Sequence, residues 1–259
     1  MKAVILAGGL GTRIQEETIV KPKPMVELGG KPILWHIMKI FYHYGVNDFI
    51  ICCGYKGYQI KEYFANYLLH MSDVTFDFSN KNTTVHKEWG EKWKVSLCDT
   101  GENSLTGERL KRVKNFLPDD EPFFFTYGDG LADVNISQLL AFHKSKRKLA
   151  TLTAVIPKAR YGALNIQGDI VKEFQEKPEK SEGYINGGFF VLNKKSISFI
   201  KGDNESWEAK PLEEIALANQ LTAFKHHGFW QPMDTLRDKN YLEQLWKGEN
   251  PPWKVWKNG

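Results

Sequence analysis

The chain has 259 residues, of which 42% are hydrophobic and 25% are charged, and its formal net charge is +4. This length and composition are typical of a globular protein with one large α/β domain. The mild charge suits small anionic substrates, and the lack of a basic block or nucleic-acid-binding motif argues against a nucleic-acid partner. The apolar runs are too short for a membrane span, and the first strand begins without a preceding signal segment. Three cysteines without metal-ligand spacing favour buried thiols, so we expect a cytoplasmic protein.

The first predicted element is a strand that ends in a glycine-rich loop. Residues 3–7 form a continuous apolar run, the pattern of a strand that is buried on both faces of a parallel sheet. Three glycines follow within four positions: Gly8, Gly9 and Gly11. Such a loop presents successive backbone N–H groups, which bind anions. Thr12 and Arg13 add a hydroxyl and a permanent positive charge that suit phosphate oxygens.

A second cation follows this loop, and together they predict a polyphosphate site. Lys23 lies between Pro22 and Pro24, which restrict the backbone around it. The dinucleotide pattern G-x-G-x-x-G does not fit, because Ile14 stands where its last glycine is required, and no Walker-type loop occurs. A glycine-rich turn alone is most often only a tight turn. Combined with Thr12, Arg13 and Lys23, it indicates a loop that holds a triphosphate.

The next elements predict a parallel sheet. Residues 30–45 read as a helix, 48–53 as a buried strand and 58–69 as a second helix. This alternation favours right-handed crossovers, with ligands bound beyond the carboxyl ends of the strands. Residues 72–94 interrupt the alternation, and we expect an antiparallel excursion there, carrying Trp89 and Trp93. Those tryptophans form either a contact surface or packing within the domain.

The second half of the chain predicts further strands and two acidic positions. Residues 122–127 read as an apolar strand that leads into Asp129, which is flanked by glycines. Asp129 is either a metal ligand at the edge of the sheet or a cap of the following turn. Residues 135–146 read as a helix, and 150–156, 170–178 and 185–192 contain strands. Asp234 precedes a helix, where an aspartate is first of all an N-cap.

Several motifs together resemble the sugar-1-phosphate nucleotidylyltransferases. They are L-A-G-G-x-G-T-R, K-P-K-P-M-V and G-G-K-P-I near the start, and the segments 127–130, 174–178, 185–190 and 230–234 later. The resemblance implies a Rossmann-like, mostly parallel central sheet flanked by helices, of the nucleotide-diphospho-sugar transferase type, with a small antiparallel excursion. Within the family it is strongest to members that join CTP and glucose 1-phosphate for bacterial surface polysaccharides such as O-antigen.

The resemblance also implies a set of site residues. Catalysis is assigned to Arg13, Lys23, Asp129 and Asp234, and the two aspartates are assigned to Mg²⁺. Nucleotide binding is assigned to Leu6, Ala7, Gly8, Gly9, Leu10, Gly11, Thr12, Arg13, Lys23, Ser104, Arg109 and Gly128. Sugar-phosphate binding is assigned to Tyr127, Gly162, Glu176, Lys177, Asn186 and Gly187. Without the resemblance, Glu176 and Lys177 read as an ordinary surface pair.

These interpretations lead to one expected activity and three alternatives. We expect cytidylyl transfer from CTP to glucose 1-phosphate, which yields CDP-glucose and pyrophosphate, with Arg109 selecting cytosine through its donor-only guanidinium. The alternatives are the same chemistry with another nucleoside triphosphate (UTP or dTTP) or another hexose 1-phosphate, a nucleotide-sugar-dependent glycosyltransferase, and a non-catalytic sensor. The alternative for Arg109 is that it binds ribose or phosphate.

We divide the chain into a catalytic domain, residues 1–245, and a C-terminal arm, residues 246–259. The arm carries Trp246, Trp253 and Trp256. We expect a homo-oligomer, a hexamer by resemblance, with the excursion or the arm at an interface.

Overall fold

A computed structural model describes residues 1–88, 90–157, 163–167, 169–175 and 183–257. The strands are β1 (Lys2–Ala7), β2 (Glu27–Leu28), β3 (Lys31–Pro32), β4 (Asp48–Cys53), β5 (Ser72–Asp77), β6 (Asn82–Glu88), β7 (Lys94–Asp99), β8 (Phe123–Tyr127), β9 (Gly130–Ala132), β10 (Ala150–Val155), β11 (Ala163–Gln167), β12 (Ile170–Gln175), β13 (Ile185–Leu192), β14 (Leu221–His226) and β15 (Trp230–Pro232). The helices are α1 (Gln15–Thr18), α2 (Ile33–His43), α3 (Gly57–Ala65), α4 (Tyr67–Met71), α5 (Thr106–Arg112), α6 (Ile136–Lys146), α7 (Lys210–Leu217) and α8 (Leu236–Trp246). Four 3₁₀ turns cover Thr12–Ile14, Lys23–Met25, Lys114–Phe116 and Lys194–Phe199.

A seven-stranded sheet forms the centre of the molecule, in the order β14-β10-β13-β8-β1-β4-β7. Strand β1 pairs in parallel with β4 and with β8, and β4 pairs in parallel with β7. Strand β13 is antiparallel to both β8 and β10. The predicted mostly parallel sheet with a small antiparallel excursion is therefore confirmed, and the β5–β6 hairpin is that excursion.

Both faces of the sheet are covered, as the apolar run of β1 predicts. Ala3, Ile5 and Ala7 pack into one buried cluster, which also contains residues of α2. Val4 and Leu6 point to the opposite face and into a second cluster, which contains Leu110 of α5 and Ile215 of α7. Because successive strand residues face opposite layers, one apolar strand supports two hydrophobic cores.

The helix predicted over residues 58–69 is interrupted at Asn66. The backbone of Asn66 leaves the helical region, and its side-chain Nδ2 donates to the Glu62 carbonyl at 2.9 Å. Helix α4 then begins at Tyr67, which is buried. The apolar spacing continues across this break, so periodicity alone gives no sign of it.

The described tryptophans of the excursion and the arm pack within the chain. Trp93 lies 5.9 Å, centroid to centroid, from the Phe49 ring. Trp253 is fully buried and stacks on Trp246 at 6.1 Å. These side chains therefore pack within the domain, which was one of the two predicted alternatives. Trp89 lies outside the described residues. Within the described ranges, no helix combines the length and the apolar character that crossing a bilayer requires.

Candidate active site

A cleft of about 320 Å³ opens where the segments after β1 and β8 meet. These strands are parallel neighbours, so both of their carboxyl ends reach the same edge of the sheet. The cleft is lined by Leu6, Ala7, Gly8, Gly9, Gly11, Thr12, Arg13, Lys23, Pro24, Ser104, Leu105, Thr106, Arg109, Tyr127, Gly128 and Asp129. The glycine loop and the aspartate after β8, more than 100 residues apart in sequence, therefore form a single concave surface.

Two of the three glycines in the loop occupy positions that a larger residue would not fit. Gly11 adopts φ = 65°, the left-handed conformation that glycine favours. At Gly8 a Cβ atom would lie 2.1 Å from the Arg109 NH1 atom. The first requirement comes from the turn itself, whereas the second comes from a side chain on α5.

Lys23 lies at the centre of the polar groups in the cleft. Its Nζ donates to Asp129 Oδ2 at 2.6 Å and to Asp234 Oδ1 at 2.9 Å, and its side chain is only 10% exposed. Burial disfavours the ammonium, but attraction and hydrogen bonds to the two carboxylates outweigh it, so the pKa of Lys23 is raised above its ordinary value. The lysine is therefore fully charged at neutral pH.

A short pair of strands brings the two aspartates together. Strand β9 pairs with β15, and the Met233 N–H donates to the Asp129 carbonyl at 2.8 Å. Asp129 makes this contact through its own carbonyl, and Asp234 directly follows Met233 on the other segment. The separation of 105 positions in sequence is thus closed by backbone hydrogen bonds, which leave the two carboxylates free to converge on one cation.

Arg13 joins this cluster from the solvent side. Its NH1 donates to Asp234 Oδ2 at 2.9 Å, while 69% of its side chain is exposed. The guanidinium therefore has donors that can reach a ligand in the cleft, and its exposed ion pair contributes little to stability.

The interpretation of Asp234 as a helix cap is wrong in this structure. Helix α8 is capped by Thr235, whose hydroxyl accepts from the Asp238 N–H, while the Asp238 side chain accepts from the Thr235 N–H. This reciprocal capping box satisfies the start of the helix without Asp234. The Asp234 carboxylate is consequently used by Lys23 and Arg13 alone among the side chains whose contacts are described.

Arg109 lies under the glycine loop, and its donors contact protein oxygens. NH1 donates to Gly101 O at 2.7 Å, to Thr100 Oγ1 at 2.9 Å and to Cys53 O at 3.3 Å. NH2 donates to Gly8 O at 2.9 Å and to Glu102 O at 3.1 Å. Burial lowers the pKa of this arginine below its ordinary value. The side chain therefore ties the end of β4, the segment after β7 and the glycine loop to one another.

Most of the residues assigned to the nucleotide lie along the cleft. The exception is Leu10, which is 48% exposed and does not line it. Sequence reasoning missed Pro24, Leu105 and Thr106. The sequence offered one signal for Thr106, which is its proximity to Ser104. Ser104 lies just before α5, and Thr106 begins this helix.

The residues assigned to the sugar phosphate are described only in part. Tyr127 lines the cleft, and its hydroxyl accepts a hydrogen bond from Asn186 Nδ2 at 3.1 Å. The Gly187 carbonyl accepts from Trp230 Nε1 at 2.7 Å. Gly162, Glu176 and Lys177 lie outside the described residues.

Comparisons with known proteins support the same class of function as the geometry of the cleft. The family model described as nucleotidyl transferase matches residues 2–235. The chain is 62% identical to the glucose-1-phosphate cytidylyltransferase of Salmonella typhi, over 99% of this chain and 100% of that enzyme. It is 61% identical to the enzyme of the same name from Salmonella typhimurium, with the same coverage.

A solved structure shares the fold at much lower identity. UDP-glucose pyrophosphorylase complexed with UDP-glucose superposes with a TM-score of 0.67 at 16% identity, over 95% of this chain and 98% of that chain. The strand order, the cleft at the carboxyl ends of β1 and β8, and the match of the family model over nearly the whole chain agree. The chain belongs to the nucleotidyl transferase family.

Proposed function

We propose that this protein transfers the cytidylyl group of CTP to α-D-glucose 1-phosphate, which yields CDP-glucose and pyrophosphate. The observation that carries this proposal is the 62% identity, along 99% of the chain, to an enzyme named glucose-1-phosphate cytidylyltransferase. The cleft supports it independently, because a glycine loop, a buried lysine and an exposed arginine together suit a triphosphate. CDP-glucose is a precursor that suits the bacterial surface polysaccharides expected from the resemblance.

The reaction that we propose is an in-line displacement at phosphorus. An oxygen of the sugar phosphate forms a bond to the α-phosphorus of CTP, the bond to the bridging oxygen breaks, and pyrophosphate leaves with that electron pair. A phosphate monoester has its second pKa at about 6, so it is largely dianionic at neutral pH and needs no general base. The protein must instead neutralise charge and align two anions.

We assign this neutralisation to the two cations of the cleft. Lys23 is buried and fully charged, which suits contact with the α-phosphate, where charge accumulates. Arg13 is exposed at the mouth, which suits the departing pyrophosphate. Lys177, which lies outside the described residues, remains our candidate for the incoming sugar phosphate.

We further propose that Asp129 and Asp234 hold Mg²⁺. The support is that both carboxylates already converge on one positive group, the Lys23 ammonium. Among the described residues there is no group of three or more metal-ligating side chains. Two carboxylates, with phosphate oxygens and water as the other ligands, are the donor set that magnesium prefers. When bound, the ion would supply Lewis-acid stabilisation of the phosphate charge.

We also propose that Arg109 selects cytosine, and its guanidinium already contacts protein oxygens. In the conformation described, NH1 and NH2 each contact at least two protein oxygens. Direct reading of the base by NH1 or NH2 therefore requires one of those contacts to be exchanged for cytosine. If this exchange takes place, Arg109→Ala will reduce CTP use and shrink the preference for CTP over UTP towards unity.

Kinetics with both nucleotides test this assignment. Arg112→Ala is the matched control, because Arg112 lies on the same helix but pairs with Glu108 at 2.7 Å on the surface. Equal losses for CTP and UTP in Arg109→Ala would refute base reading and leave Arg109 as a support of the glycine loop, or as a ribose or phosphate contact.

A single assay tests the reaction itself. Purified protein is incubated with Mg²⁺, glucose 1-phosphate and each nucleoside triphosphate in turn, and pyrophosphate release is measured. We expect CTP to give the fastest release. Faster release with UTP or dTTP would favour the alternative substrates, and absence of release with all triphosphates would favour a glycosyltransferase or a sensor.

We propose a cytoplasmic homo-oligomer. Cys52, Cys53 and Cys98 are free thiols, which supports a reducing compartment. The described tryptophans no longer motivate an interface, but the β5–β6 hairpin exposes 50% of Phe76 and 88% of Phe78. Sedimentation is expected to show an oligomer, a hexamer by resemblance, and a monomer at micromolar concentration would remove this proposal.

A further inference from the structure

A carboxylate behind the wall of the cleft contacts two residues that line it. Glu208 Oε1 accepts from the Tyr127 hydroxyl at 2.6 Å, and Glu208 Oε2 accepts from the Thr106 hydroxyl at 2.6 Å. Tyr127 and Thr106 line the cleft, whereas Glu208 is partly buried behind them. One side chain therefore contacts two cleft residues that come from different segments.

The position of Glu208 is fixed by its neighbour in sequence. Trp207 is fully buried, and its ring packs edge-on against Phe125 and Phe190. The Trp207 backbone N–H donates to Thr106 Oγ1 at 2.9 Å. The Leu105 N–H, which lies just before α5, donates to Asn204 Oδ1 at 2.7 Å. The segment that carries Glu208 is thus attached to the core and to the start of α5.

Hydrogen-bond donors along this network can be assigned in one direction. The Gly188 N–H donates to Asn186 Oδ1 at 2.9 Å, so Asn186 presents its Nδ2 donor to the Tyr127 hydroxyl. A carboxylate can only accept, so the hydroxyl proton of Tyr127 lies on its bond to Glu208. Burial and the Glu208 charge raise the pKa of Tyr127 above its ordinary value, which keeps that proton in place.

The Tyr127 hydroxyl donates to Glu208 and already accepts from Asn186, so it has one further lone pair, and no donor, left for a ligand. A phosphate oxygen is also an acceptor at neutral pH, so it cannot pair with this hydroxyl. A sugar hydroxyl can donate to it. The geometry points to Glu208 as a positioning residue that commits Tyr127 to accept from a hydroxyl group of the hexose 1-phosphate. This inference rests on the proposed function and names a determinant of its sugar specificity.

A double-mutant cycle tests the inference. We compare wild type, Glu208→Gln, Tyr127→Phe and the double variant, with the triphosphate and hexose 1-phosphate that the wild type uses best. Each single variant is expected to raise the KM of the sugar phosphate roughly tenfold, with kcat and the KM of the triphosphate within about twofold. The double variant is expected to match Tyr127→Phe, because Glu208 acts through that hydroxyl.

Substrate analogues supply a readout that a merely structural role would not move. Among the monodeoxy forms of the hexose 1-phosphate, one is expected to lose affinity with wild type but to equal the parent sugar phosphate with Tyr127→Phe and Glu208→Gln. Glu205→Gln is the matched control, since its carboxylate contacts only backbone N–H groups of Lys201 and Gly202 in the described structure. It is expected to behave as wild type.

Three results would overturn the inference. The first is a double variant whose loss equals the product of the losses of the two single variants. The second is a KM that rises equally for the sugar phosphate and the triphosphate. The third is that no monodeoxy analogue distinguishes wild type from the three variants. Thr106→Val, which removes the other contact of Glu208, shows whether a loss in Glu208→Gln comes from that side instead. Wild-type protein that fails with CTP and glucose 1-phosphate but uses another pair would refute the proposed substrates only.

Discussion

Lys23 and His36 are both buried polar side chains, and they differ in charge. In the cleft, Lys23 is ionised and contacts two carboxylates within 3 Å. Under the C-terminal arm, His36 Nε2 contacts Leu28 O at 2.9 Å and Trp253 Nε1 donates to His36 Nδ1 at 3.4 Å. Burial lowers the pKa of His36 to about 4, so this histidine is neutral.

The difference shows two ways to satisfy a buried polar group. The lysine keeps its charge because two carboxylates contact it, and this arrangement places charged groups along the cleft. The histidine gives up its charge because its neighbours are aromatic rings, with Trp246 at 4.6 Å, centroid to centroid. We assign the first cluster to the proposed reaction, whereas the second attaches the arm to the core.

The largest expected effect is on the arm. Trp253→Ala removes a fully buried ring that stacks on Phe229 and Trp246, and it leaves His36 Nδ1 without its donor. We expect the free energy of unfolding to fall by about 4 kcal/mol. Urea denaturation measures this loss, and Trp256→Ala, at a partly exposed position of the same arm, is expected to cost less. Equal costs would show that Trp253 is not the main attachment.

In the cleft, Lys23→Ala is expected to raise the activation free energy of the reaction by about 3 to 4 kcal/mol, the scale of one lost transition-state donor, and so to lower kcat. The protein should stay folded, because the cluster lies at the edge of the sheet and not in its core. Steady-state kinetics and circular dichroism measure the two effects. Lys21→Ala is the matched control, since Lys21 pairs with Glu27 at 2.8 Å away from the cleft. Near-normal turnover in Lys23→Ala would contradict its catalytic role.

The neutral state of His36 predicts a pH dependence of stability. Its pKa falls from 6.5 to about 4 on folding, so between these values the unfolded chain binds a proton that the folded chain excludes. The stability that this provides is complete above pH 6.5 and is lost as the pH falls, up to about 3 kcal/mol in total.

Thermal melts between pH 7 and 4.5 measure this slope. His36→Gln is expected to flatten it, whereas replacement of the exposed His70 by Gln should leave it unchanged. A slope that stays the same in His36→Gln would mean that His36 is not the group responsible.

The smallest effect separates two neighbours in sequence. Thr235→Ala removes the cap of α8 and is expected to lower the free energy of unfolding by about 1 kcal/mol, with magnesium dependence unchanged. Asp234→Asn is expected to do the reverse, weakening the dependence of activity on magnesium with little change in stability. Asp129→Asn should behave like Asp234→Asn. A stability loss in Asp234→Asn as large as that of Thr235→Ala would restore the cap interpretation.

Local sequence pattern determined much of this fold. The apolar run before Gly8 predicted β1 within one residue, and 48–53 was predicted with the bounds that β4 has. These elements are read reliably because burial on both faces leaves a continuous apolar run bounded by turn residues. The break at Asn66 was missed, because a helix can end where its apolar periodicity continues.

The arrangement of the cleft was decided by tertiary structure. The sequence predicted a phosphate site from the glycine loop and Lys23, and a metal site at Asp129. Nothing in the sequence near Lys23 showed that its ammonium contacts carboxylates 106 and 211 positions away. The cap of α8 was readable from the sequence, because Thr235 and Asp238 have the spacing of a capping box, but no local pattern places Glu208 behind Tyr127. The role of a polar side chain depends on which groups from distant segments lie within 3 Å, and the pairing of strands sets those distances.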